Sequence, residues 1–170
     1  KGYVLISLHK IAKMETQPDG TVQMVQQPIY LPRGKKPFVL SEDDVCYYEY
    51  MTGTGFATKL CLDENGKVVN EYVERDGSVS YGSYDVLTVL EDFIETHPDF
   101  SYQGSKGILA FTGYDGILGY RTSDFWYNEN CDYYVSTPAN DKEKREDHTS
   151  PNKNIEQDKQ TAREVAQAIR

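Results

Sequence analysis

The sequence predicts an α/β domain, and three observations carry that expectation. Short apolar runs bounded by turn residues at 3–8, 37–41 and 107–112 read as buried strands. Helix-spaced apolar stripes fall at 84–97 and 155–170, between and after those strands. A block at 56–81 carries Asn65-Gly66 and Asp76-Gly77, the strongest short hairpin signals. Strands alternating with helices argue for an α/β layer or barrel arrangement, here with a β-hairpin insertion.

The elements follow in order. The chain enters a strand at once, in the run Tyr3-Val4-Leu5-Ile6-Ser7-Leu8. Gln17-Pro18-Asp19-Gly20 has turn chemistry, and residues 21–26 then alternate in strand fashion. The loop Leu31-Pro32-Arg33-Gly34-Lys35-Lys36 announces a second apolar strand at 37–41, which runs into Glu42-Asp43-Asp44. The aromatic-rich stretch 45–51 suggests a short helix. Residues 56–62, 67–74 and 78–81 form a small antiparallel meander. The helix at 84–97 has Val86, Leu87, Leu90, Phe93, Ile94 and His97 on one face, Ser83 as the expected N-cap and Pro98 as its stop. A short buried strand at 107–112 comes next. Residues 113–153 are a long polar and aromatic loop with a charge-dense stretch at 141–147 that reads as solvated. The last helix is opened by Asn154 with Gln157 three residues on, in the manner of a capping box. The whole of 1–170 is read as one domain, with 56–81 as the meander insertion and 113–153 as the long loop.

Composition narrows the function. A chain of 170 residues buries roughly 70% of its unfolded surface, enough for a core without staples. The balance of 18 basic against 27 acidic residues, a formal charge of -9, leaves little to neutralise a phosphate backbone, which argues against nucleic acid. The longest mostly apolar run is far shorter than the roughly 20 residues that span a bilayer. Cysteines at 46, 61 and 131 have no C-x-x-C spacing, and His9, His97 and His148 are scattered, so neither a disulfide framework nor a zinc finger is encoded.

The site candidates begin with Asp43 and Asp44. In parallel α/β folds reactive residues collect at the carboxyl ends of strands, and adjacent carboxylates need a cation or donors to stay ionised together. The rival reading is a helix N-terminus whose acids suit the macrodipole, with Ser41 as cap. Arg121, beside Tyr120 in a Gly-rich loop, could clamp a substrate, against the plainer role of pairing with an acid. The aromatic clusters Cys46-Tyr47-Tyr48-Glu49-Tyr50 and Phe125-Trp126-Tyr127 could stack on sugar rings or simply pack. His97 reads as a helix-end histidine, and Cys61 as an ordinary strand residue.

The segment 2–8, then Leu31-Pro32, then Lys36-Pro37-Phe38-Val39-Leu40-Ser41-Glu42-Asp43-Asp44 resembles the start of the polysaccharide deacetylase (chitooligosaccharide deacetylase homology) domain, carbohydrate esterase family four. That family writes this site T-F-D-D-G at the end of its first barrel strand. Residues 87–100 with Gly107-Ile108-Leu109-Ala110-Phe111-Thr112-Gly113 resemble its next helix and strand. The final helix resembles the one leading into its H-[ST]-x-x-H motif. The resemblance covers most of the chain in order, apart from the meander and the long loop.

What the resemblance implies is a partial (β/α) barrel with a small antiparallel β-meander insertion, and a metal-dependent hydrolase that removes N- or O-acetyl groups from a polysaccharide. Asp43 matches the catalytic base and Asp44 the metal-ligating aspartate. Arg121, Tyr120 and Trp126 are the substrate-binding candidates. The implied cofactor is a divalent metal, usually zinc, and the implied setting is a bacterial cell envelope or secretion. Glu42 and Val45 depart from the family's Phe and Gly, and no H-x-x-x-H pair occurs in the sequence, so the site is expected to be incomplete and this segment inactive. Both ends read as edges of a fragment, with the histidine pair expected past Arg170. The alternative is a non-catalytic carbohydrate-binding or cell-surface module on the same fold. A phosphoryl-transfer reading of Glu42 and Asp44 is disfavoured, because the first acid is Glu and no Lys or Thr context follows.

Overall fold

The computed structural model of the protein describes residues 2–113, 116–127 and 152–169, the side chains of residues 125 and 126 excepted. The chain forms two compact units. One comprises residues 1–43 with 90–110, the other residues 44–89 with 111–170.

In the first unit, β1 (Tyr3–Leu5) pairs in parallel with β4 (Lys36–Phe38), Leu5 standing opposite Phe38. Val4, Leu5 and Ile6 are buried, while Tyr3 and the β4 residues Lys36 and Pro37 are exposed. The strand stops sooner than the apolar run suggests. The Ser7 carbonyl accepts the Lys10 N–H at 2.9 Å, and the chain winds into a single helical turn, α1 (Leu8–Ile11). That turn feeds a hairpin of β2 (Ala12–Thr16) and β3 (Val22–Gln26), with Met14 opposite Met24. Aromatic rings tie the rest of the unit together. Phe38 lies between Tyr3 (6.1 Å) and Phe100 (5.6 Å), and Phe93 meets the Phe100 ring edge-on at 5.0 Å.

Two strands and a helix, β5 (Ser41–Val45), β9 (Ile108–Phe111) and α2 (Val86–Thr96), run from one unit into the other. β5 pairs with β9. The second unit is centred on the meander β6 (Ala57–Leu62), β7 (Val68–Val73) and β8 (Val79–Gly82), antiparallel throughout, with Cys61 opposite Val69 and Tyr72 opposite Ser80. It also contains α3 (Asp124–Tyr127) and α4 (Ile155–Ala168), whose Ala162 and Val165 are buried. Among the described residues the strands form three pairs and this meander, and they close no barrel.

All three hairpins use one turn chemistry. At 17–21, 63–67 and 74–78 an amide bonds across the loop, and the fourth residue is a glycine at φ 79 to 86. This is a three-residue loop that ends in a left-handed glycine, whose twist suits the flanking strands. Asp19, Asp63 and Asp76 each fold a carboxylate back onto amides of the same turn. Those hydrogen bonds hold all three carboxyls below the ordinary aspartate range, foremost the Thr21 hydroxyl for Asp19, the Lys67 amide for Asp63 and the Ser78 hydroxyl for Asp76.

Polar rather than apolar contact fixes how α2 meets the meander. Asn70, on the central strand, is fully buried. Its Oδ1 accepts the amides of Tyr84 (3.0 Å) and Asp85 (3.2 Å) and the Thr88 hydroxyl (2.6 Å), while its Nδ2 donates to Asp85 Oδ2 at 2.5 Å. Asp85 Oδ1 in turn receives the amides of Leu87 (3.1 Å) and Thr88 (3.4 Å). Asp85, rather than the expected Ser83, therefore caps the helix. At the other helix start, Asn154 makes no side-chain cap bond, and Asn152 Oδ1 takes the Asn154 amide at 2.9 Å instead of a reciprocal box with Gln157. The helix expected at 45–51 is reduced to one 3₁₀ turn, Glu49–Met51.

Removing Asn70 leaves several buried groups without partners at once. Asn70→Ala is expected to lower unfolding free energy by about 3 kcal/mol, read from urea denaturation. A loss under about 1 kcal/mol would show that the network is not what joins sheet and helix.

Candidate active site

The acidic pair does not follow the end of a strand. The apolar run breaks at Val39-Leu40, and the acids lie within β5, where Asp43 and Asp44 are exposed and Glu42 and Val45 half-buried. Two backbone bonds bracket the pairing with β9. Ile108 N–H reaches Leu40 O at 2.9 Å, and Thr112 N–H reaches Val45 O at 3.0 Å. Both positions advance together, so the strands run parallel, and β5 takes one residue more than β9 to cover the interval. The surplus is absorbed at Asp44, whose φ is 55. Asp tolerates that left-handed conformation better than most side chains, and one extra residue in a strand pair re-aims the side chains around it. The Asp44 carboxylate is then held by the Thr112 hydroxyl, which donates to its Oδ1 from just past the end of β9.

The stretch after β5 separates into a buried part and an exposed part. Tyr47 is buried, and its hydroxyl donates to Asp85 Oδ2 at 2.5 Å. The Tyr47 carbonyl accepts Arg121 Nη1 at 2.7 Å. Arg121 is thus engaged by a backbone oxygen of the aromatic cluster. Tyr48 and Tyr50 stack on one another at 5.3 Å and 21°, with Tyr50 more than half exposed. Of the rings proposed to meet a sugar, Tyr47 is committed to the interior and the Tyr48–Tyr50 pair reaches the surface.

Tyr120 and Arg121 sit where the chain leaves a tight turn at 116–120, which docks on β6 through Leu60 N–H to Leu118 O at 2.9 Å. Gly119 makes that approach possible. A Cβ there would lie 2.2 Å from Lys59 Cβ and 2.4 Å from Thr58 O. Tyr120 is buried beside β6, with Lys59 Nζ 5.9 Å from its ring centre. Burial first, then the nearby Cys61, Glu71, Asp158 and Glu164, push its phenol up to about 12. The Trp126 side chain lies outside the described residues, as do Tyr114, Asp115, Cys131, His148 and the charged stretch 141–147.

The remaining candidates take their plain roles. His97 closes α2, stacked on Phe93 at 4.3 Å with Nδ1 3.2 Å from the Phe93 carbonyl. His9 is exposed on α1. Cys61 is half-buried in β6 with its Sγ 3.6 Å from Val69 O, and burial pushes its thiol up, away from the reactive thiolate. The structure thus joins Asp44 to Thr112 and Arg121 to Tyr47. Thr112 and Asp85 were not singled out from sequence. Thr112 had one visible signal, a hydroxyl directly after the apolar run that ends in Phe111.

A carboxylate such as Asp44 suits a divalent cation as one oxygen ligand of several. Among the described residues no group of three His, Cys, Asp or Glu gathers to hold a metal. No helix among them is long and apolar enough to cross a membrane. No family model matches the chain, and no curated protein or solved structure matches it.

Two measurements probe this part of the molecule. Gly119→Ala should lower stability by about 3 kcal/mol or more, read by urea denaturation, because the new methyl meets strand backbone and a φ of 90. The second is alkaline stability. The folded state raises the Tyr120 pKa from 10.0 to about 12, so the protein favours the neutral phenol. That contribution is complete below pH 10 and disappears as pH climbs through about 12. Relative to Tyr120→Phe, the native chain should lose stability across that window and nowhere below it. Parallel curves would refute the assignment.

Proposed function

We propose that the chain is the N-terminal part of a metal-dependent polysaccharide deacetylase-like hydrolase, a partial (β/α) barrel with a meander insertion, acting on N- or O-acetyl groups of a bacterial envelope or secreted-phase polymer. The observation that carries this reading is Asp43-Asp44 on an exposed strand, with Asp44 in a left-handed backbone conformation and its carboxylate braced by Thr112 from a parallel neighbour. Unusual backbone at adjacent acids is where sites store strain. The order of the motifs along the chain supports it as well.

In this reading Asp43 takes the proton of the attacking water and Asp44 is one metal ligand, with Thr112 fixing its rotamer. A bound divalent ion, zinc by resemblance, supplies acidity to that water and charge for the developing oxyanion. The other ligands are not among the described residues, and the resembled family places its histidine pair after the segment that matches α4. Tyr120 is buried against β6, so of the expected contacts to the sugar polymer Arg121 and Trp126 are kept in this reading. A second reading, a carbohydrate-binding module without chemistry, is favoured by the stacked Tyr48–Tyr50 pair, whose Tyr50 is more than half exposed.

The test uses the full-length parent protein, with zinc uptake by calorimetry and acetate release from N-acetylated chito-oligosaccharide. Asp44→Asn should abolish uptake. Asp43→Asn should retain uptake and cut acetate release by about 10²-fold or more. Unchanged release in Asp43→Asn overturns the base assignment, and sugar binding without any acetate release by the unmodified protein selects the binding module.

A further inference from the structure

The meander carries a concave feature that the proposed active site does not use. Between the 53–55 turn and the β7–β8 hairpin opens a depression of about 450 Å³. Its floor is Gly53-Thr54-Gly55, with the two glycines at φ 74 and 108. The absence of side chains at both keeps the floor low, and an added Cβ at Gly53 would rest 3.5 Å from the Glu74 carbonyl. One wall is Tyr72, whose half-buried ring is held against Tyr84 at 4.9 Å. The rim is Glu74, Arg75 and Asp76. Asp76 spends its Oδ1 on the Ser78 amide and hydroxyl, whereas the side chains of Glu74 and Arg75 are exposed and have no hydrogen-bond or ion-pair partner among the described residues.

The lining selects a ligand class by elimination. Two carboxylates against one guanidinium, on a chain of charge -9, disfavour phosphate and other anions. The lining has no aliphatic side chain to hold an apolar ligand. It does offer carboxylate acceptors, guanidinium and hydroxyl donors and one fixed aromatic ring. That set fits a neutral ring with hydroxyls at its edge and C–H bonds on its face. We propose that the depression lined by Tyr72, Glu74 and Arg75 is a binding subsite for one sugar ring of a polymer. The preference for a neutral polyhydroxylated ring stands on the lining alone, while its identity as a unit of an N-acetylated polymer rests on the deacetylase reading. The meander then acts as a second contact for the substrate of the same protein.

Amide shifts of the isotope-labelled full chain test this during titration with N-acetylated chitotetraose, with cellotetraose and inorganic phosphate as comparison probes. The expected result is saturable shifts at 53–55 and 72–76 with chitotetraose, with a Kd on the order of 1 mM. Arg75→Ala and Glu74→Gln, both surface changes, should each weaken that binding roughly fivefold or more with the rest of the spectrum unchanged. Cellotetraose binding there as tightly as chitotetraose supports a sugar-ring site and removes the N-acetyl preference. Saturation by phosphate in place of the sugars, absence of shifts at 72–76, or variants that bind like the native chain would each overturn the proposal. Acetate release by the parent without shifts at this patch sinks the subsite and leaves the deacetylase reading standing. Shifts here with no acetate release by the parent do the reverse.

Discussion

The second unit is organised around a polar side chain where a sheet would ordinarily place an apolar one. Asn70 is buried at the centre of the meander, and burying an amide without partners costs about 1–3 kcal/mol on protein scales. The fold meets that cost by bringing the start of α2 to it. Two successive amides, a hydroxyl and a carboxylate converge on one side chain. Apolar packing alone tolerates sliding of a helix over a sheet. A set of directed bonds that all fail together does not, so Asn70 sets the register of α2 on β7.

From that fixed point the constraint passes along the chain. Asp85 is held by Asn70 and in turn holds the Tyr47 hydroxyl, and the Tyr47 carbonyl holds Arg121. Tyr47 is three residues beyond Asp44, so the segment leaving the acidic strand is anchored within one turn's length of it. The opposite flank is anchored by backbone. Leu118 adopts φ 59, a costly conformation for a bulky side chain, and the cost is offset by its near-complete burial and by the Leu60 amide on its carbonyl. Gly119 then lets the turn touch β6 without a side chain between them.

Elements whose cause is local were legible in the sequence. The three hairpin turns are written in neighbouring residues, an Asp or Asn followed by Gly, and the structure places turns at each of them. The stripe at 84–97 and the run at 107–112 likewise name α2 and β9 within a residue or two. What was not legible has causes far along the chain. Ser83 looks like a cap until Asn70, more than a dozen residues earlier, recruits Asp85 to that duty. The aromatic stretch at 45–51 looks like a short helix until Asp85 draws Tyr47 into the interior and leaves one 3₁₀ turn. Glu42-Asp43-Asp44 reads as the end of the 37–41 strand, or the start of a helix, until β9 supplies a partner strand. The bracing of Asp44 by Thr112 spans 68 residues, and no window of the sequence contains both ends of it.

The same contrast separates the carboxylates that build from those that can react. Asp85 receives Tyr47, Asn70 and two helix amides, which occupy both of its oxygens and leave no room for a metal or a substrate hydroxyl. Asp19, Asp63 and Asp76 each commit one carboxylate oxygen to their own turns. Asp43 and Asp44 are exposed on β5, and the Thr112 hydroxyl that donates to Asp44 is neutral. A neutral brace fixes direction without neutralising charge. Under the proposed reading, that combination suits a carboxylate that meets a cation, a role the occupied oxygens of Asp85 do not leave open.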